Sequence, residues 1–225
     1  MHPFIVFDLD GTLMDTIASI THEVNRTFQA NGLDSLSVET VQDLVGNSSA
    51  YLIDHGLNLA GGKDLGKEDR KRILDEYNQN YYDHPIEGSA PYPGIMDLAI
   101  WLKDKGRKLG VYSNKPDPIV RRVMDHFFPR GLFDAVSGFR EDLPRKPDPT
   151  GLLQMIEEAG FKREDTLYIG DSEVDGILGE NAGLDTVLVT YGYREREDLA
   201  AFDFPKVDSV SALTEYLKTG KGALS

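Results

Sequence analysis

The stretch FIVFDLDGTLMDT places two aspartates, Asp8 and Asp10, directly after the apolar run Phe4 to Phe7, with Gly11 and Thr12 turning the chain behind them. Side chains two apart on an extended chain point to the same side, so both carboxylates aim into one space beyond the strand's carboxyl end. The crevice outside the carboxyl ends of parallel strands is where open α/β sheets bind ligands. Two like charges held there repel each other, so the arrangement calls for a positive partner. A calcium loop of the EF-hand kind is excluded, because its sixth-position Gly and twelfth-position Glu are both missing.

Three further stretches carry groups suited to the same space. KLGVYSNKP ends in Ser113 and Asn114, a hydroxyl and a carboxamide able to donate to phosphoryl oxygens. TLYIGDSEVDG ends in Asp171, with Asp175 in the first turn of the following helix. RKPDP carries Lys146, with Asp148 expected as a helix N-cap and Pro149 at the first helical position. Singly, these features read as an Asp-Gly turn, a serine turn, a helix cap and a solvated lysine. Together they bring Asp8, Asp10, Ser113, Asp171 and Asp175 to three carboxyl ends, with Lys146 on a loop of the same edge. Four carboxylates converging without compensation would cost several kcal/mol per desolvated charge, which implies a hard divalent cation, Mg²⁺.

The elements that must hold these residues are legible as texture. Apolar runs at Phe4 to Phe7, Leu109 to Tyr112, Ala135 to Val136, Thr166 to Ile169 and Thr186 to Val189 are continuous rather than alternating. That suits parallel strands buried on both faces, and helical patterns over Ile95 to Lys105, Ile119 to Phe128 and Gly151 to Ala159 separate them. The expected fold is a doubly wound, Rossmann-like α/β core. About a hundred residues lie between the first two strands, far more than one crossover helix needs, so a subdomain is inserted there. Its patterns are helical: Ile17, Ile20, Val24 and Phe28 up to a stop at Asn31-Gly32, then Val38 to Val45 capped by Ser37, then a charged helix from about Lys67 to Tyr82. The expected division is 1–15 with 87–225 for the core and 16–86 for the insertion. The closing GKGALS is expected to fray.

The chain has 225 residues, 40% of them hydrophobic, enough for a sizeable core. Its net charge of -14 repels nucleic acid and anionic membrane, and no basic stripe overrides it. The apolar stretch from Pro3 is too short for a signal segment, and no run approaches the roughly 18 apolar residues of a membrane span. The absence of cysteine removes disulfides, thiolate metal sites and a cysteine nucleophile, and fits a reducing cytoplasm. The five histidines, at 2, 22, 55, 84 and 126, have no ligand spacing. Trp101, Tyr77, Tyr81 and Tyr82 read as packing residues.

In this order and spacing DLDGTLMDT, SNK, KPDP and GDSEVD resemble the four motifs of the haloacid dehalogenase-like hydrolase superfamily. The helical insertion after the first motif is similar to the small cap of the branch that includes phosphoglycolate phosphatases and β-phosphoglucomutases, and TYGYRE resembles the phosphatase side. The resemblance implies that Asp8 is a nucleophile forming an aspartyl phosphate and that Asp10 is the general acid and base. Gly11 and Thr12 would supply backbone donors to the phosphoryl oxygens, which Ser113, Asn114 and Lys146 would hold. Mg²⁺ would be bound by Asp8, the Asp10 carbonyl and Asp171, with Asp175 reaching it directly or through water. The aspartate at position 10 disfavours dehalogenase and phosphonatase chemistry.

The implied substrate is a small phosphorylated metabolite, phosphoglycolate first, handled by a monomer or homodimer. A sugar-phosphate mutase, a pyrophosphatase and a nucleotidase are the alternatives. The cap stretch LVGNSSAY lacks the arginine usual in the mutases, and its Asn47 and Ser48 are candidate readers of the leaving group, or simply a helix stop. Gly179 stands where the family often has Ala and is expected to loosen its helix.

Overall fold

Phe4, Ile5, Val6 and Phe7 are all buried, as a strand covered on both faces must be. In the computed structural model, which describes residues 2–219, this strand is β1 (Phe4–Phe7). It is followed by β2 (Met14–Asp15), α1 (Ile17–Ala30), α2 (Val38–Leu44), α3 (Ser49–Leu59), α4 (Lys67–Asp83) and β3 (Ala90–Pro91). Helices and strands then alternate as α5 (Ile95–Asp104), β4 (Lys108–Pro116), α6 (Asp117–Phe127), β5 (Ala135–Phe139), α7 (Thr150–Glu158), β6 (Thr166–Gly170), α8 (Glu173–Ala182), β7 (Asp185–Val189), β8 (Lys206–Val207) and α9 (Val210–Thr219). The closing GKGALS lies outside the described residues. No helix among the described residues is long and apolar enough to cross a membrane.

The chain divides into two compact units, Met1–Asp15 with Pro91–Ser225, and Thr16–Ala90. The first holds six parallel strands in the order β5-β4-β1-β6-β7-β8, a doubly wound α/β sheet. From β1 the chain moves outward through β4 to β5, then returns to the other side of β1 with β6. The order therefore reverses beside β1, where such sheets open a crevice. Phe7 pairs with Val111 on one side and Ile169 on the other, so the residues that follow each strand end at nearly one level. On one face Phe4, Val6, Tyr112 and Tyr168 pack with Leu152, Met155 and Ile156 of α7 and Leu178 and Ala182 of α8. Each large apolar side chain buried this way contributes about 1.5–3 kcal/mol.

The second unit packs four helices. α1 buries Ile20, Val24 and Phe28; α3 buries Leu52, Ile53 and Leu57; α4 buries Ile73, Tyr77 and Tyr81. Gly56 of α3 allows close approach, since a Cβ there would stand 3.1 Å from Phe28. Ser37 caps α2 by accepting the N–H of Thr40.

Several local expectations shift. α3 has no counterpart in the sequence pattern, because Gly56 interrupts its apolar face. β8 is two residues long, below any periodicity signal. α7 starts at Thr150, with Pro149 at the cap position and Asp148 Oδ1 accepting the Thr150 N–H, one residue later than expected. Gly179 does not loosen α8: a Cβ there would run into Thr186 Oγ1 of β7, so the glycine lets the helix approach the sheet.

Candidate active site

Strand register carries Asp8 to the centre of the crevice. Its N–H donates to the Ile169 carbonyl (2.8 Å), which prolongs the β1–β6 ladder by one bond and leaves the carboxylate at the strand end, 5% exposed. Lys146 arrives from the loop before α7 and is equally buried. Its Nζ lies 2.7 Å from Asp8 Oδ1, 2.8 Å from Asp175 Oδ1 and 3.1 Å from the Tyr168 hydroxyl. The contact with Asp8 is an ion pair without hydrogen-bond alignment, so Asp8 Oδ1 is buried with no hydrogen-bond donor.

Asp175 is the opposite case. Its Oδ1 accepts from Lys146 and from the Tyr168 hydroxyl (2.7 Å); its Oδ2 accepts from the Asp171 N–H, the Ser172 N–H and the Ser172 hydroxyl (2.6 Å). Ser172 and Asp175 form a capping box at the start of α8, a local device that satisfies orphan helix donors. Five donors fill the lone pairs of this carboxylate, so it anchors Lys146 and the turn after β6. With its oxygens so engaged, Asp175 is more fully compensated than the other two acids of the cluster. Asp171 keeps an under-satisfied carboxylate; its Oδ2 accepts the Tyr193 N–H at 2.8 Å.

These environments split the carboxylates. Burial pushes Asp8 up to about 7, with Asp175 and Asp10 adding to the rise and Lys146 opposing it. Burial, then the charges of Asp175 and Asp8, raise Asp171 well above the usual carboxylate range against the Tyr193 N–H and Arg194. Burial would also raise Asp175, but Lys146, Ser172 and Tyr168 overcome it and hold it below the ordinary value. Lys146 is raised: the cost of burial is outweighed by Asp175 and Asp8.

Asp10, two residues further along the chain, is more open, with 13% side-chain exposure. Both its oxygens accept from Lys115 Nζ, at 2.7 and 2.9 Å. Three other expected phosphate contacts have partners within the fold. Gly11 N–H donates to the Met14 carbonyl (2.9 Å) and Thr12 N–H to that of Leu9 (3.3 Å), so the backbone donors expected for a phosphoryl group are engaged inside the turn. The Asn114 carboxamide pairs with the main chain of Lys146, Nδ2 donating to its carbonyl (3.2 Å) and Oδ1 accepting its N–H (2.9 Å). Asn114 thus positions the lysine loop. Ser113 is buried beside it and its Oγ accepts the Lys115 N–H. Asn47 and Ser48 belong to the helical unit, where Ser48 Oγ accepts the Tyr51 N–H as N-cap of α3.

The donor set fits a hard divalent cation. Asp8, Asp171 and Asp175 are buried and each offers an oxygen within 4.8 Å of the others. Asp8 and Asp171 are the two whose negative charge the protein leaves under-compensated. Across this constellation the carboxylates of Asp8, Asp10, Asp171 and Asp175 outnumber the nearby cations Lys115, Lys146 and Arg194, and a hard divalent ion would offset the remaining negative charge.

The sequence model of haloacid dehalogenase-like hydrolases matches residues 5–189. The chain belongs to the haloacid dehalogenase-like hydrolase family. Phosphoglycolate phosphatase 1 of Pseudomonas aeruginosa is 32% identical over 199 residues, 87% of this chain and 72% of that protein. A solved structure from Lactobacillus delbrueckii subsp. bulgaricus superposes with a TM-score of 0.89 at 29% identity, covering 96% of this chain and 99% of the other. CbbY from Rhodobacter sphaeroides, solved in complex with phosphate, superposes with a TM-score of 0.80 at 26% identity, covering 95% and 96%. This member of the hydrolase family is a phosphatase.

Four residues of this hydrolase site escaped the sequence reading. Lys115 stands in the SNK motif beside Ser113 and Asn114, and its hold on Asp10 shows only in the fold. Tyr168 reads as one apolar residue of a buried strand, and its hydroxyl is visible only as a partner of Asp175 and Lys146. Ser172 reads as a cap, and its hold on Asp175 Oδ2 shows only in the fold. Gly192, within TYGYRE, packs so closely that a Cβ would run into the Gly11 carbonyl and stand 2.6 Å from Asp171 Oδ2. Gly11, at φ 83°, crowds Asp171 from the other side. Two glycines therefore wall in one carboxylate.

Proposed function

We propose that this chain is a Mg²⁺-dependent phosphatase of a small phosphorylated metabolite, phosphoglycolate first, acting through an aspartyl phosphate on Asp8. The observation that carries the reading is the unequal compensation of the buried carboxylates: Asp8 shares Lys146 with Asp175 and is still pushed up, Asp171 is pushed up despite Tyr193 and Arg194, while Asp175 accepts five donors and is held low. Mg²⁺ held by Asp8 and Asp171, with the Asp10 carbonyl, would neutralise charge on the transferring phosphoryl group. Lys146 holds Asp8 at the strand end and offers its ammonium to a phosphoryl oxygen. Asp10, on the open side, protonates the leaving oxygen and then takes a proton from the attacking water. Ser113 completes the phosphoryl contacts. The helical unit Thr16–Ala90 serves as the family's cap, with Asn47 and Ser48 as readers of the leaving group. The enzyme works in the cytoplasm, for which a cysteine-free chain is suited. The relatives' name supports phosphoglycolate; a sugar phosphate is the second candidate, because CbbY has also been solved with xylulose-(1,5)bisphosphate.

The test is phosphate release from phosphoglycolate, a pentulose bisphosphate, pyrophosphate and a nucleoside monophosphate, with Mg²⁺ or EDTA, using wild type and Asp8→Asn. Turnover on one compound should fall by at least about three orders of magnitude in both controls. Ordinary turnover by Asp8→Asn would refute the covalent mechanism, and isomerisation of a sugar phosphate without phosphate release would identify a mutase.

A further inference from the structure

The ninth residue of β4 lies well past the end of β1. Because Phe7 pairs with Val111, the residues Ser113, Asn114 and Lys115 run on beyond the level of Asp8. This overrun delivers Lys115 to Asp10, 105 residues away in sequence. The side chain of Lys115 is only 4% exposed, yet its ammonium ends on the more open carboxylate of the pair. Lys146 is committed to Asp8 and Asp175, and Arg194 of the neighbouring loop reaches Glu173 at 3.0 Å. Lys115 thus sets an ammonium on both oxygens of Asp10, the carboxylate that the phosphatase reading makes the acid.

We propose that Lys115 determines specificity by binding an anionic group, a carboxylate, carried by the leaving group next to the oxygen that Asp10 protonates. The inference rests on the phosphatase reading above, with Asp10 as the acid. A residue that touches the acid also lies within reach of atoms one or two bonds beyond the leaving oxygen. In phosphoglycolate those atoms are the methylene carbon and the carboxylate. A substrate anion there shares the ammonium with Asp10, and the interaction is strengthened because Lys115 is already desolvated. An uncharged leaving group brings no such partner into a chain of net charge -14 and binds less well. The glycolate unit is thus read by charge at Lys115 while Lys146 serves the phosphoryl end.

The experiment compares kcat/KM for phosphoglycolate with that for its methyl ester and for ethylene glycol monophosphate, which keep the phosphoryl group and lose the carboxylate charge. Wild type should prefer phosphoglycolate by about tenfold to a hundredfold, the range of one charge-assisted contact. In Lys115→Met the ratio should collapse to near unity, whatever rate is lost in common through Asp10, and Lys115→Arg should restore most of the preference. If Lys115→Met does not fold, the wild-type comparison of acid and ester still decides whether the charge is read. A preference that survives intact in folded Lys115→Met overturns the assignment, as does a wild type that hydrolyses acid and ester equally. If wild type hydrolyses other phosphate esters but none of these three, the substrate fails along with the inference; if it hydrolyses phosphoglycolate without discrimination, only the inference fails.

Discussion

In EDTA, this enzyme should lose stability as the pH rises from 5 to 7.5, because Asp8 must then ionise in a buried site. Burial, Asp175 and Asp10 lift its folded pKa from 3.8 to about 7. A folded pKa above the unfolded one contributes stability that is fully present below about pH 4 and is lost as the pH passes through 7. A displacement of about three units is on the order of 4 kcal/mol in total, of which about 2 to 3 kcal/mol falls between pH 5 and 7.5. Asp171, also raised, acts in the same direction; Asp175, which is lowered, acts below pH 4 and stays outside the window. For a chain of this length the Asp8 share corresponds to a fall of about 5–10 °C in Tm. The assay is calorimetric unfolding in EDTA at both pH values, for wild type and Asp8→Asn. The variant has no group to ionise at position 8, so subtracting its pH response removes the titration of the remaining surface. Added Mg²⁺ should stabilise wild type more at pH 7.5 than at pH 5, since protons compete for the same oxygens. Identical pH responses in wild type and variant would refute the claim that Asp8 is buried without adequate compensation.

Other perturbations probe the same network. Lys146→Met leaves Asp8 and Asp175 facing each other in burial and should cost about 3–5 kcal/mol in urea unfolding at pH 7.5; a cost below about 1 kcal/mol would show the pair solvated. Tyr168→Phe removes one donor from Asp175 and should cost about 1.5–3 kcal/mol while lowering kcat more than it raises KM, which paired denaturation and steady-state measurements would show. Gly11→Ala places a Cβ against the Asp171 carboxylate at positive φ, whereas Gly32→Ala, also at positive φ, meets open space. The first should cost at least about 2 kcal/mol more than the second and weaken metal-dependent turnover, and equal costs would show that Asp171 can move aside.

What could be read from the chain depended on how local the signal was. Strands β1, β4, β6 and β7 announced themselves as unbroken apolar runs, and an aspartate or serine straight after such a run can only stand at a carboxyl end. That fixed the address of Asp8, Ser113 and Asp171 before any fold was known. Lys146 had no such signature: a lysine in a Pro-rich loop looks solvated, and its burial follows from two carboxylates and the Asn114 carboxamide, which lies 32 residues away. The contacts of Gly11, Thr12 and Asn114 were hidden for the same reason, since they are made with neighbours that composition does not reveal. The excess of acids over bases was legible in the sequence as four carboxylates around Lys146, and it implied a divalent cation; Lys115 beside Asp10 and Arg194 near Asp171 show only in the fold. Which carboxylates remain for that cation is a property of the fold. The capping box at Ser172 engages Asp175 for local reasons of helix initiation and compensates it more fully than Asp8 and Asp171. A helix start thereby sets the charge balance of the cluster, which ties the electrostatics of the site to the place where α8 begins.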